Sequence, residues 1–71
     1  MRKILKNARV NKGFTQKQLA ERLGIGTRMY QYLEAGDFNG SIKIWDKLED
    51  LFKVPQRQLR ENTNIRKEDK K

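Results

Sequence analysis

Between Gly13 and Gly36 the sequence leaves room for two short helices and almost no connection between them. The run Phe14-Thr15-Gln16-Lys17-Gln18-Leu19 offers Thr15 as an N-cap and Gln18 at the third helical position. This is a capping box, in which two side chains satisfy two backbone amides that otherwise lack partners. Phe14 before the cap and Leu19 at the fourth helical position form a hydrophobic staple. The helix is expected over Gln16 to Leu23 and stops at Gly24. The next begins at Gly26 or Thr27 and ends near Ala35-Gly36. Two helices joined by three or four residues, with Gly in the turn, carry the supersecondary signature of a helix-turn-helix.

The remaining segments are also short and helical. A first helix is expected over about Arg2 to Asn11, with Ile4, Leu5 and Ala8 on one face and Gly13 just beyond its end. After the loop Asp37-Phe38-Asn39-Gly40, Ser41 can cap a fourth helix to about Phe52, its buried stripe being Ile42, Trp45, Leu48 and Phe52. Pro55, the only proline, suits the first position of a last short helix anchored by Leu59. Thr63 to Lys71 holds one apolar residue, Ile65, and six charges, and reads as a charged flexible tail. No segment reads as a strand. The fold class expected is all-α, a compact domain of about five helices over residues 1–62 followed by the tail at 63–71.

Composition narrows the function. The 71 residues contain no Cys and no His, so disulfides, thiolate chemistry and the commonest metal ligand and general base are excluded. An enzyme is not expected, and neither is a cofactor. No apolar run approaches the roughly 20 residues of a membrane span, and the basic start lacks the apolar stretch of a signal peptide. A cytoplasmic location is the expectation. The net charge of +8 favours a polyanionic partner. Residues 1–34 hold 8 basic and 2 acidic residues, residues 35–54 hold 3 and 4, and residues 55–71 hold 6 and 3. The first half is thus the candidate binding surface, although charge alone serves solubility equally well.

Projection of the second helix of the pair at about 100° per residue separates two arcs. Thr27, Gln31, Ala35, Arg28 and Tyr32 fall between about 0° and 140°, and Met29, Leu33 and Tyr30 between about 200° and 300°. The first arc carries side chains able to reach base edges or phosphates; the second faces the core.

The segment Phe14-Thr15-Gln16-Lys17-Gln18-Leu19-Ala20-Glu21-Arg22-Leu23-Gly24-Ile25, followed by Leu33-Glu34-Ala35-Gly36, resembles the Xre/Cro/lambda-repressor-like helix-turn-helix regulators. The resemblance extends from about Leu5 to Leu59, with the cap, the small residue, the turn glycine and the terminal Glu-x-Gly in register. It implies a lambda-repressor-like domain whose motif spans about 16–35 and whose recognition helix spans about 27–35.

The resemblance also implies residue roles. Gln16 bonds a DNA phosphate and braces the recognition helix. Thr27, Arg28 and Tyr32 stand where relatives touch bases, and Gln31 on the same arc reads a base or a phosphate. Arg28 is suited either to bidentate recognition of guanine or to a phosphate clamp. Thr27 either meets a thymine methyl or caps the helix, since Gly26 stands where relatives place a Ser or Thr cap. Tyr32 stacks on or bonds the sugar-phosphate wall, while Tyr30 packs inward. Arg9 and Glu34 form a structural ion pair. Asn39, Ser41 and Lys43 reach phosphates from the loop, in which Gly40 replaces a frequent Pro. The basic first helix, with Arg2, Lys3 and Lys6, either adds longer-range attraction or, residue by residue, reads as solvated surface.

The implied activity is that of a bacterial, phage or mobile-element regulator of transcription, a repressor docking as a homodimer on a short palindromic site in double-stranded DNA. One or two of Trp45, Leu48, Leu51, Phe52 and Leu59 are expected at a dimer contact. No small-molecule effector segment is evident, and several short apolar stripes argue against a membrane surface. The alternative is a protein-interaction module of the same fold, an antitoxin or anti-repressor, favoured by an exposed patch at Trp45 and Phe52.

Overall fold

The computed structural model describes residues 1–62. Five helices make up those residues: α1 (Lys3–Asn11), α2 (Gln16–Leu23), α3 (Thr27–Ala35), α4 (Ile42–Phe52) and α5 (Gln56–Leu59). The charged tail expected at 63–71 lies outside the described residues.

The capping box sets the start of α2. Thr15 Oγ1 accepts from the Gln18 amide at 3.0 Å, and Gln18 Oε1 accepts from the Thr15 amide at 2.9 Å. At the other end Gly24 takes a left-handed φ of 75°, which lets the Ile25 amide turn back to the Ala20 carbonyl at 3.0 Å. Three residues then suffice to start α3. Ser41 caps α4 by accepting from the Ile44 amide at 3.3 Å. Pro55 sits at the N-cap of α5, one position earlier than expected, with its φ at −53°.

α2 packs chiefly against α3, α4 against α5, and α1 bridges α3 and α5. The core is built from Leu5, Leu19, Ala20, Leu23, Tyr30 and Leu33, closed from the other side by Ile44, Trp45, Leu48, Phe52 and Leu59. Phe14 lies against it, its ring edge-on to Phe52 at a centroid distance of 6.4 Å.

Three side chains depart from the sequence pattern. Ile42 does not belong to the buried stripe of α4: it is 77% exposed at the first helical position, on the rim of an open concavity, and Ile44 takes its place inside. Met29 was assigned to the core arc of α3 but is 43% exposed. The buried arc is instead Tyr30, Leu33 and Glu34, which at about 100° per residue is centred far enough round to leave Met29 outside.

Arg2 is the third departure. It is not solvated surface but 4% exposed. Its guanidinium donates to the carbonyls of Leu33 (2.6 Å), Phe38 (2.9 Å) and Arg60 (3.1 Å), and lies 5.2 Å from the centre of the Trp45 ring. Carbonyls at a helix C-terminus lack intrahelical partners and attract cations, so the end of α3 draws this side chain inward.

The loop before α4 needs glycine at position 40. Its φ of 76° is closed to proline. A Cβ there would also stand 2.9 Å from Trp45 Nε1 and 3.0 Å from a Leu33 methyl. Trp45 Nε1 in turn donates to the Asn39 carbonyl at 2.8 Å, closing the loop onto α4.

At the end of α4 the left-handed cap is an exposed lysine, Lys53, with φ 59°. The left-handed conformation costs an L-residue about 1–2 kcal/mol, and glycine gives back part of the gain as chain entropy. Lys53→Gly should therefore stabilise the domain by about 0.5–1 kcal/mol, raising the thermal midpoint by about 2–8 °C. Far-ultraviolet circular dichroism melts check this, and an unchanged or lower midpoint would show that the cap carries no strain.

Candidate nucleic-acid interface

α3 presents a narrow inner side and a broad outer one. Leu33 and Tyr30 are fully buried, and Glu34 is 3% exposed. Arg28, Gln31 and Tyr32 are exposed and Thr27 is half-buried, so the four expected base-contact residues share one outer face. Thr27 does not cap the helix: Gly26 occupies the N-cap and supplies no side-chain bond. Met29, which periodicity assigned inward, flanks Tyr32 one turn away and adds an apolar edge to that face.

The inner side is locked through one carboxylate. Arg9 Nε donates to Glu34 Oε2 at 2.7 Å and Arg9 Nη2 to Oε1 at 3.3 Å, the ion pair implied by the resemblance. The Tyr30 hydroxyl donates to Oε2 at 2.7 Å, and Gln16 Nε2 donates to Oε1 at 3.0 Å. Burial alone would push the Glu34 carboxyl upward. The bonds from Arg9, Tyr30 and Gln16, with the charge of Arg9, outweigh it and hold the group below its ordinary 4.5. Burial, then the bond to Glu34, pushes the Tyr30 phenol up. Its own hydrogen bond to Glu34 raises the Arg9 guanidinium.

Gln16 is thereby fixed beside α3. One hydrogen of its amide nitrogen goes to Glu34, and its oxygen faces Gln31 Nε2 at 3.5 Å. A primary amide carries two hydrogens, so the second remains for an acceptor outside the domain. The expected phosphate-contact residues Asn39, Ser41 and Lys43 are all exposed, on the loop after α3 and the first turn of α4. Ser41 Oγ is occupied as an acceptor by the cap, and its hydroxyl hydrogen can still donate outward.

Sequence reasoning placed the outer face and the Arg9–Glu34 pair and missed two features. Tyr30 was expected to pack inward, but its bond to Glu34 was not foreseen; the spacing of four residues on one helix face was the available signal. The burial of Arg2 had no local signal at all. The exposed patch that would favour an interaction module is not found at these positions: Trp45 and Phe52 are 3% and 7% exposed, Leu48 and Leu59 are buried, and Leu51 is half-buried.

The ion pair makes the fold sensitive to acid. Because the Glu34 carboxyl is lower in the folded chain than in the unfolded one, its contribution is complete above about pH 4.5 and is lost as pH falls through the folded value. Glu34→Gln should flatten the stability–pH profile in that acidic range. Arg9→Ala, which leaves the carboxylate buried without its partner, should cost about 3–5 kcal/mol at neutral pH. Urea titrations across pH check both. A profile equally steep with and without Glu34 would remove the carboxylate from the account.

Comparison with known proteins bears on this geometry. A helix-turn-helix family model matches residues 5–55 of the 71. No curated protein and no solved structure gives a significant match. The matched span runs from Leu5, in the first turn of α1, to the N-cap of α5, and so includes the capped α2, the glycine turn and α3 with its buried Glu34. The chain belongs to the Xre/Cro-like helix-turn-helix family, a fold of DNA-binding regulators.

Proposed function

We propose that this domain is a sequence-specific transcriptional regulator, a repressor that lays α3 in the major groove of a short palindromic operator. The observation carrying the reading is the division of α3. Its inner side is held by Tyr30, Leu33 and the Glu34 network, while Thr27, Arg28, Gln31 and Tyr32 are turned outward. A helix fixed on one side and hydrogen-bonding on the other meets the requirement for reading base edges.

Roles follow from chemistry and position. Arg28, exposed near the start of α3, makes paired hydrogen bonds to guanine O6 and N7. Thr27 and Tyr32 contact bases on either side of it, and Gln31 contributes an amide to the same groove. Gln16 holds a backbone phosphate with its second amide hydrogen, and Asn39, Ser41 and Lys43 hold further phosphates where the strand passes the loop. Phosphate contacts set the register, and the α3 side chains select the sequence. Two copies bound one helical turn apart, about 34–36 Å, would match a two-fold operator. Residues 1–62 form the binding unit, which acts in the cytoplasm. The interaction-module reading loses its support, because the side chains that were to form its patch, Trp45 and Phe52, are spent in the core.

Selection of bound sequences from random duplex DNA at fixed salt, with the mass of the complex measured, tests the proposal. A two-fold-symmetric consensus bound by two chains is expected. Arg28→Ala should cost about 1–3 kcal/mol at one base position and relax the preference there. Gln16→Ala should weaken all duplexes alike and, because an amide neutralises no phosphate charge, leave the log–log salt slope nearly unchanged. If no sequence is enriched, or if Arg28→Ala keeps the full preference, the docking assignment fails.

A further inference from the structure

Loop residues 39–41, the first turn of α4, Arg2 and the end of α5 enclose a concavity of about 690 Å³. Three arginines line it, Arg2, Arg57 and Arg60, against one carboxylate, Glu61. Arg57 and Arg60 are exposed, whereas Arg2 forms part of the buried wall. The Arg2 guanidinium gives its hydrogen bonds to carbonyl oxygens and not to a carboxylate, so its charge is oriented but not neutralised. Burial and the positive charge of Arg60 both lower its pKa. A like-charged cluster in a partly enclosed hollow is relieved by an anion, and guanidinium groups favour the paired oxygens of phosphate.

The position of the hollow indicates which phosphate. Asn39 and Ser41 line it as well, and both belong to the loop assigned above to the DNA backbone. The hollow therefore continues the candidate interface past the end of α3 and onto α5. Sequence reasoning gave α5 no part in binding.

We propose that this concavity seats backbone phosphates of the DNA duplex, with Arg57 and Arg60 bonding them and Arg2 providing a fixed positive charge behind. The inference rests on the DNA-binding reading and adds α5 to it. Its contacts carry no base information, so they act on every duplex alike.

The test uses a mixed-sequence duplex, for which base readout does not enter, and the full chain titrated over a range of salt. The double variant Arg57→Gln with Arg60→Gln removes two exposed charges and leaves the Arg60 carbonyl in place for Arg2. A second double variant, Lys6→Gln with Lys47→Gln, removes the same charge from exposed positions of α1 and α4 outside the hollow. Thermal melts confirm that both fold. The arginine pair should lower the log–log salt slope by about 0.9 for each phosphate released, and weaken binding to selected and unselected duplexes by the same factor. The lysine pair should lower the slope less. Equal effects of the two pairs would reduce the arginines to general charge and overturn the proposal. An unchanged slope with a loss of self-association would overturn it in favour of a contact between copies. Failure of the native chain to bind any duplex would remove this inference together with the DNA reading, whereas a silent arginine pair in a chain that selects an operator would remove this inference alone.

Discussion

Glu34 is the residue on which the arrangement of the first three helices depends. Its carboxylate receives hydrogen bonds from Arg9 of α1, Gln16 of α2 and Tyr30 of α3. A buried ion pair adds little net stability over a well-packed apolar substitute, because desolvation offsets the Coulomb gain. What it supplies here is direction. Apolar contacts such as those of Leu19, Leu23 and Leu33 hold helices together but tolerate small rotations. A carboxylate with four donors on three helices does not, since any rotation of α3 strands a buried charge. The orientation of the outer face of α3 follows from that restriction.

Arg2 extends the same control to the main chain. Its backbone amide donates to the Glu34 carbonyl at 2.8 Å, while its guanidinium takes the Leu33 carbonyl. Arg2 and Arg9 are seven residues apart, about two helical turns. α1 therefore grips the C-terminal half of α3 twice, once through the Glu34 side chain and once through its backbone. The second grip also reaches Phe38 and Arg60, so the loop and α5 are positioned by the residue that closes α3. Gly40 is a consequence of this packing: Trp45 and Leu33 leave no room for a side chain there.

The parts of this design that were legible in the sequence are those governed by local chemistry. The Thr15–Gln18 capping box, the stop at Gly24 and the Ser41 cap each depend on residues within a turn of one another, and all three stand where the sequence places them. The outward set Thr27, Arg28, Gln31 and Tyr32 followed from helical period alone. Met29 and Ile42 did not, because hydrophobicity says that a side chain gains from burial and not whether a neighbour arrives to cover it. Met29 lost its place when Glu34, a charged residue by composition, was drawn inward by partners on α1 and α2. Arg9–Glu34 was legible only through family resemblance, as its partners lie 25 residues apart. Arg2 was legible by neither route, since its acceptors are carbonyl oxygens, which every residue carries.

The distribution of charge changes meaning once these roles are assigned. Of the basic residues in the first half, Arg9 is neutralised by Glu34 and Arg2 is turned into the domain. Neither adds an exposed cation to the surface of α3, whose one basic residue is Arg28. The outer face of α3 is therefore mostly uncharged, and the helix's only carboxylate, Glu34, points inward. In the proposed docking such a face would select by hydrogen-bond pattern and shape, where mispaired donors and acceptors are penalised individually. Long-range attraction has to come from elsewhere, and Arg57 and Arg60 stand with Arg2 where the loop meets α5. Under the proposed docking, charge placed beside α3 and not on it would raise affinity for every duplex without blurring the choice among them. A uniformly basic α3 would gain the first property at the expense of the second.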